Sequence, residues 1–256
     1  MLGYQDKSDL VPEGCYLFSV TGISKYITDS NSFFKAIIDK EKEEIQTEST
    51  VIGTIIHHAI ECIHSDTPLD DEEIRKYITD NSEKFNLDSA EIFKRVYDTL
   101  PEIDNYYGTM KFNPPSEYES NHILKLTDRV YIGGTLDARY GDRIIDYKTT
   151  KVSSSIGELP QHYIRQLSTY AYMLIQEGLD ITSGQIDYIH LGDIGRVSSK
   201  TGKALKSYYP YIETKYFYIT DEMLRLVESN LKLIADSIEF ILDNKDNKHL
   251  IYREIW

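Results

Sequence analysis

The sequence predicts an α/β fold carrying a helical insertion, and three observations support that class. The stretch from Gly133 to Lys151 reads as two β-strands joined by a tight turn. Helical periodicity stands on either side of it, over Val51 to His64 and from Pro160 to Gln176. Between the first helix and the strands the composition shifts: residues 66 to 104 hold twelve Asp and Glu against five Lys and Arg, half of the net charge of −14. With 256 residues, 41% hydrophobic and 27% charged, the chain can bury a sizeable core and has the make-up of an ordinary globular protein.

Composition also excludes several classes. No apolar run approaches the roughly 18 to 20 residues of a membrane span, and Met1 to Pro12 lacks a signal-peptide pattern, so a cytoplasmic protein without a membrane partner is expected. Two cysteines, Cys15 and Cys62, are too few for a disulfide framework or a thiolate-ligated structural zinc. The acidic balance argues against a protein that coats itself in nucleic acid, though it leaves room for a local basic site.

Taken in order, residues 1 to 14 show no periodicity and read as a lead-in. Tyr16 to Ile45 reads as two short helices, with Ile23, Tyr26, Ile27, Phe33, Phe34, Ile37 and Ile38 as an apolar stripe broken near Asp29 to Ser32. The helix Val51 to His64 is apolar almost all round, so its polar residues need a reason to be buried. His57 and Glu61, four apart, share one of its faces. Ile74, Tyr77 and Ile78, then Ile92, Phe93, Val96, Tyr97 and Leu100, give two helices for an insertion at 66–112 whose acidic outer face is either solvated surface or a partner-binding or duplex-repelling wall. Glu117 to Leu126, Asp128 to Tyr140 and Arg143 to Lys151 follow as strands. A helix begins at Pro160 and stops before Gly178, with Gln166 and Tyr170 on one face and Arg165 and Thr169 on another. Gly184 to Leu191 and Tyr208 to Ile219 are strands around a glycine-punctuated hairpin, and Thr220 caps a last amphipathic helix to about Leu242.

The central hairpin places charge where a structural strand would avoid it. With Gly141-Asp142 in a type II′ turn, Tyr140 pairs with Arg143, Ala138 with Ile145, and Asp137 with Asp146. The two aspartates then oppose each other, with Lys148 on the same face and Leu136, Ala138, Ile145 and Tyr147 on the apolar face. Opposed like charges destabilise a sheet, whereas a divalent cation between them would favour it. Asp137, Asp146 and His57 make a mixed oxygen and nitrogen donor set suited to Mg²⁺ or Mn²⁺, and Lys148 beside them suits phosphodiester hydrolysis. No Gly-x-Ser-x-Gly elbow points to an esterase, and without a phosphate-cradling glycine loop no ATP site is expected. Arg196, Lys200, Lys203, Lys206 and Lys215 against Glu213 alone, interleaved with Tyr208, Tyr209, Tyr211 and Tyr216, mark the hairpin as either a nucleic-acid contact or a solvated loop.

Gly134-Thr135-Leu136-Asp137 followed by Asp146-Tyr147-Lys148-Thr149 resembles the core of the PD-(D/E)XK nuclease superfamily. Gly53-Thr54-x-x-His57 resembles the histidine motif of its RecB-type branch, Gln166-x-x-x-Tyr170 its Gln-x-x-x-Tyr motif, and Ile23-x-x-Tyr26 through Phe33 its N-terminal helix. The matches run in the family's order from about residue 19 to 170. The resemblance implies a restriction-endonuclease-like core, a mixed central β-sheet flanked by helices, in a single domain over 1–256. It implies His57, Asp137, Asp146 and the Tyr147 carbonyl as metal ligands and Lys148 as the catalytic lysine. Gln166 and Tyr170 would orient the nucleotide or the carboxylates, Glu61 would support the ligands from behind, and Arg165 and Lys151 would join Lys200, Lys203 and Lys206 in contacting DNA. Many relatives carry an iron–sulfur cluster on one N-terminal and three C-terminal cysteines. Here Asp29 stands at the first position and no cysteine follows Cys62, so no cluster is expected and the resemblance turns toward phage and prophage exonucleases.

The expected activity is therefore a metal-dependent DNA exonuclease acting in recombination, repair or phage DNA processing. A nuclease fold kept as an assembly module in a recombination or defence complex, and a site-specific or structure-specific endonuclease, are the competing readings.

Overall fold

Gly141 turns the central hairpin. In the computed structural model, which describes residues 10–40, 45–109, 113–151, 155–195, 197 and 201–244, its φ is 61° while Asp142 keeps a negative φ, as a type II′ turn requires. The turn joins β3 (Val130–Tyr140) to β4 (Arg143–Thr150), and Tyr140–Arg143, Arg139–Ile144 and Ala138–Ile145 pair in the register that the turn predicts. The ladder then stops. Asp137 and Asp146, expected to be the next pair, are not joined by it, and the Tyr147 N–H donates instead to Asp137 Oδ2 at 2.7 Å. Two carboxylates facing each other repel and each competes for donors, so the strands part where they meet.

The rest of the sheet forms around this fork. β2 (Glu117–Lys125) lies antiparallel along one side of β3. The other side is shared end to end by β4 and by β1 (Tyr16–Ser19), which runs parallel to Val130–Gly133. β5 (Ser183–His190) is parallel to β4, and β6 (Tyr211–Tyr218) closes the sheet antiparallel to β5, giving six strands in a mixed sheet. The helical reading of Tyr16–Ser19 is thus corrected. Four residues are too short for periodicity to separate strand from helix, and only the partner on β3 decides.

Two helical layers cover the sheet. On one face α1 (Gly22–Thr28), α2 (Ser30–Phe34), α6 (Gln161–Gln176) and α7 (Asp221–Asp243) bury Ile23, Phe33, Leu167, Leu174, Leu231 and Ile238. The break between α1 and α2 is a capping event: the Asp29 carboxylate accepts the Ser32 N–H at 3.1 Å. On the other face lie α3 (Glu48–His64), α4 (Asp71–Phe85) and α5 (Ser89–Gly108). Their core joins Ile52 and Ile56 to Ile78, Val96, Ala138, Ile145 and Tyr147. The insertion therefore packs on α3 as the second layer, with Asp70 and Asp88 capping its two helices. Leu136 was expected beside Ala138 but lies in the α6–α7 core. Between the two residues stands Asp137, and opposite it Glu119 adopts φ 43°, so β2 and β3 both lose their regular pairing there. Among the described residues no helix is long and apolar enough to cross a membrane.

Two contacts hold the fork open. The Tyr170 hydroxyl of α6 donates to the Thr135 carbonyl at 2.7 Å, in the stretch of β3 between the ends of β1 and β4. That approach requires Gly134, where a Cβ would sit 2.3 Å from the Tyr170 hydroxyl. Behind β4, His64 pairs with the Tyr147 hydroxyl at 3.0 Å inside a ring of Tyr107, Tyr118 and Tyr140. Burial pushes its pKa down from 6.5 to about 4.

Gly134→Ala should destabilise the protein by about 1–3 kcal/mol through overpacking. Combining it with Tyr170→Phe should recover part of that loss, read from denaturant midpoints; a Gly134→Ala protein as stable as its parent would exclude the contact. Between pH 6.5 and 4 an unfolded His64 binds a proton that the folded one refuses, so stability falls as pH falls through that window. The stability gap between the parent and His64→Gln should shrink from pH 7 to pH 4, and a pH-independent gap would contradict the buried neutral ring.

Candidate active site

Three elements bring donors to one point. β3 supplies Asp137 at the fork, β2 supplies Glu119 directly opposite, and α3 supplies His57 from the second layer. His57 Nδ1 lies 3.7 Å from Asp137 Oδ1 and 4.0 Å from Glu119 Oε1, and one donor atom of each residue falls within 4.8 Å of the others. Donors that share one cation at about 2.1 Å stand roughly 3.0–4.2 Å apart, so the spacing fits a hard divalent ion. His57 Nε2 lies 2.9 Å from the Tyr147 carbonyl. A carbonyl only accepts, so Nε2 carries a proton there, and the bond turns Nδ1 toward the carboxylates, as outer-shell carbonyls orient metal-binding histidines. Tyr147 thus serves His57 with its carbonyl and Asp137 with its N–H.

Asp146 and Lys148 form the other half. Lys148 Nζ lies 2.8 Å from Asp146 Oδ1 and 2.7 Å from Oδ2, though only the first contact has hydrogen-bond geometry. Gln166 Nε2 donates to the same Oδ1 at 2.8 Å. Burial raises the Asp146 pKa above the usual carboxylate range, with Lys148 opposing and Asp137 adding to the rise. Burial works against the Lys148 charge, but Asp146 and Asp137 outweigh it and the net shift is upward. The lysine is thus held as a cation beside the donor cluster, with Tyr163 beneath it at 5.2 Å. Asp146 is almost fully enclosed, with 6% of its side chain exposed, whereas His57 and Glu119 keep 28% and 31%, so the site opens to solvent on the donor side.

The structure therefore draws His57 and Asp137 together and places Asp146 with Lys148 and Gln166. Tyr170 acts on the β3 backbone two residues before Asp137. Glu61 turns elsewhere, bonding His58 Nδ1 at 3.1 Å. Lys151 is tied to Glu48 at 2.9 Å, and Arg165 is half-buried on α6. Lys203 and Lys206 are exposed between β5 and β6, and Lys200 lies outside the described residues. Sequence reasoning missed Glu119. Its signal was present as an acidic residue in β2 opposite Asp137, and its left-handed φ of 43°, costly for a residue with a Cβ, is the kind of strain that marks functional positions.

The family model for the PD-(D/E)XK nuclease superfamily matches residues 17–244. A crystal structure of a "Putative exonuclease" from Eubacterium rectale shares the fold at TM-score 0.57, with 16% identity over 96% of this chain and 88% of that one. The crystal structure of SSO0001 aligns at TM-score 0.30, with 16% identity over 83% of this chain and 84% of that one. No curated protein sequence matches. On the family match over most of its length, with its aspartates and lysine gathered at a parted hairpin, the chain belongs to the PD-(D/E)XK nuclease superfamily.

Proposed function

We propose that the protein is a divalent-metal-dependent deoxyribonuclease that degrades DNA from its ends. The observation that carries this reading is the convergence of His57, Glu119 and Asp137 beside a lysine held by Asp146. The resemblance to the E. rectale protein supports the exonuclease form. A Mg²⁺ or Mn²⁺ bound there would offset phosphate charge and ease deprotonation of a water. His57 Nδ1 and the Asp137 and Glu119 carboxylates would hold it. Lys148 Nζ donates toward the attacked phosphate or the attacking water, stabilising charge that grows in the transition state. Gln166 and Asp146 fix the ammonium, and Tyr170 fixes the strand bearing Asp137. DNA in the cytoplasm, cellular or phage, is the matching substrate.

End-labelled linear DNA with Mg²⁺ or Mn²⁺ should be degraded while covalently closed circular DNA persists; cleavage of the circle would instead make the protein an endonuclease. Lys148→Ala should lower the rate by roughly 10²–10³-fold or more with an unchanged circular dichroism spectrum, as loss of one transition-state donor does. Full activity in that variant would exclude the assignment, and no turnover of any substrate would favour an assembly module, with its acidic insertion as the protein-binding face. Glu119→Gln should weaken Mn²⁺ binding, read by electron paramagnetic resonance, by more than the roughly 10-fold that outer-shell partners contribute. Unaltered binding would remove Glu119 from the donor set.

A further inference from the structure

One face of α6 reaches three groups of the site in succession. Tyr163, Gln166 and Tyr170 are spaced three and four apart and so share that face. Tyr170 holds the Thr135 carbonyl, and Gln166 holds Asp146 Oδ1. One turn nearer the N-terminus, Lys148 Nζ stands over the Tyr163 ring, 5.2 Å from its centroid. The helix therefore touches both members of the buried pair, the carboxylate through an amide and the ammonium through an aromatic face.

The chemistry of that turn suits the contact. No acidic side chain stands in the first turn of α6, and the positive end of a helix dipole disfavours a cation. The face of an aromatic ring carries the negative side of its quadrupole, so Tyr163 gives the ammonium an attraction that the turn otherwise lacks. Lys148 keeps only 23% of its side chain exposed, and a cation shielded from water gains more from a ring than one in solvent. The ring is itself confined. It is half-buried, packs on the α6–α7 core, and meets the ring of Tyr188 edge-on at 6.2 Å. Tyr188 is buried and level with Lys148 on the neighbouring strand, so lysine and ring are held from the same stretch of sheet.

Asp146 alone leaves the ammonium a freedom. Both carboxylate oxygens lie within 2.8 Å of Nζ, but only Oδ1 has hydrogen-bond geometry. A flexible four-carbon stem with three rotatable donors can swing about one such bond. A second contact, from a different element, removes that swing.

We propose that Tyr163 is a positioning residue for Lys148, its ring face fixing the ammonium with the remaining N–H groups free for the reacting phosphate. The role in catalysis rests on the nuclease reading, whereas the contact does not.

In the metal-free chain, Tyr163→Leu should shift the denaturation midpoint less in a Lys148→Ala background than in the parent, because the partner is gone. Equal shifts would refute the contact whether or not the protein is a nuclease. On linear DNA with Mn²⁺, Tyr163→Leu should lower kcat about 5- to 30-fold, the range of a partly desolvated cation–π contact, with KM and Mn²⁺ affinity unchanged. Tyr163→Phe keeps the ring and should stay within about 2-fold of the parent. Pentafluorophenylalanine in place of Tyr163 keeps the ring's size but reverses its quadrupole, and should lower kcat as Tyr163→Leu does. If the fluorinated ring serves as well as phenyl, if Tyr163→Phe loses as much as Tyr163→Leu, or if Tyr163→Leu keeps full activity, the positioning role is overturned while the nuclease reading stands. If the parent cuts no DNA, the nuclease reading falls and takes the catalytic role with it, and the midpoints alone decide whether the pair exists.

Discussion

Two carboxylates that cannot share a β-ladder govern this structure. A regular hairpin would set Asp137 against Asp146 at the close Cβ spacing of opposed residues, where like charges cost stability. The chain instead breaks the ladder after Ala138–Ile145 and gives the Tyr147 N–H to Asp137. One backbone donor is thus exchanged for a charge-assisted bond to a carboxylate, worth about twice a neutral one. The same rearrangement frees the Tyr147 carbonyl for His57, so a single residue of β4 orients both a carboxylate and an imidazole. A parted hairpin would be a weak point in an ordinary sheet. Here the gap is filled by the Tyr170 hydroxyl, which takes the Thr135 carbonyl that β1 and β4 leave between them.

The electrostatics divide the site into an open half and a closed half. Asp146 is enclosed and would rather be neutral, and what keeps it useful is its pair of donors, Lys148 and Gln166. Removing one partner of a buried pair leaves a stranded charge, which commonly costs several kcal/mol, so Lys148 and Asp146 support each other whatever else they do. In the open half His57, Asp137 and Glu119 bring one imidazole and two carboxylates to one point. Two carboxylates crowded at one point concentrate negative charge, which a cation would relieve. A hard cation needs oxygen and nitrogen donors with access to water, while a positioned ammonium needs enclosure, and the fork provides both within a few residues of chain.

Much of this was legible in the sequence because it is local. Turn chemistry at Gly141-Asp142 set the register as far as Ala138–Ile145, one residue short of Asp137 and Asp146. The helical layers followed from periodicity, and Gln166 and Tyr170 from their spacing on one helix. What stayed hidden depends on partners far along the chain. Tyr16–Ser19 is a strand only because Val130–Gly133 offers an edge to it. Leu136 changes layers because regular pairing fails at Asp137 and Glu119, and Glu119 joins the site because β2 happens to align it there. Glu61 was misplaced for the opposite reason: helical spacing permitted a contact with His57, but His58 was nearer to hand.

The acidic insertion gains a mechanical sense from the same contacts. Its outer charge first suggests a surface meant for another protein. Its inner side, however, does two structural jobs: Ile92, Val96 and Ile103 complete the core under α3, and Arg95 and Asp98 grip the segment that leaves β5. Arg95 is 8% exposed and Asp193 4%, so this is a buried charged contact, and such contacts are better at fixing geometry than at adding stability. A segment attached only through β5 could swing about its base. Gripped by α5 at Gly192, Asp193 and Ile194, it is held at a set angle to the helix layer that also carries His57.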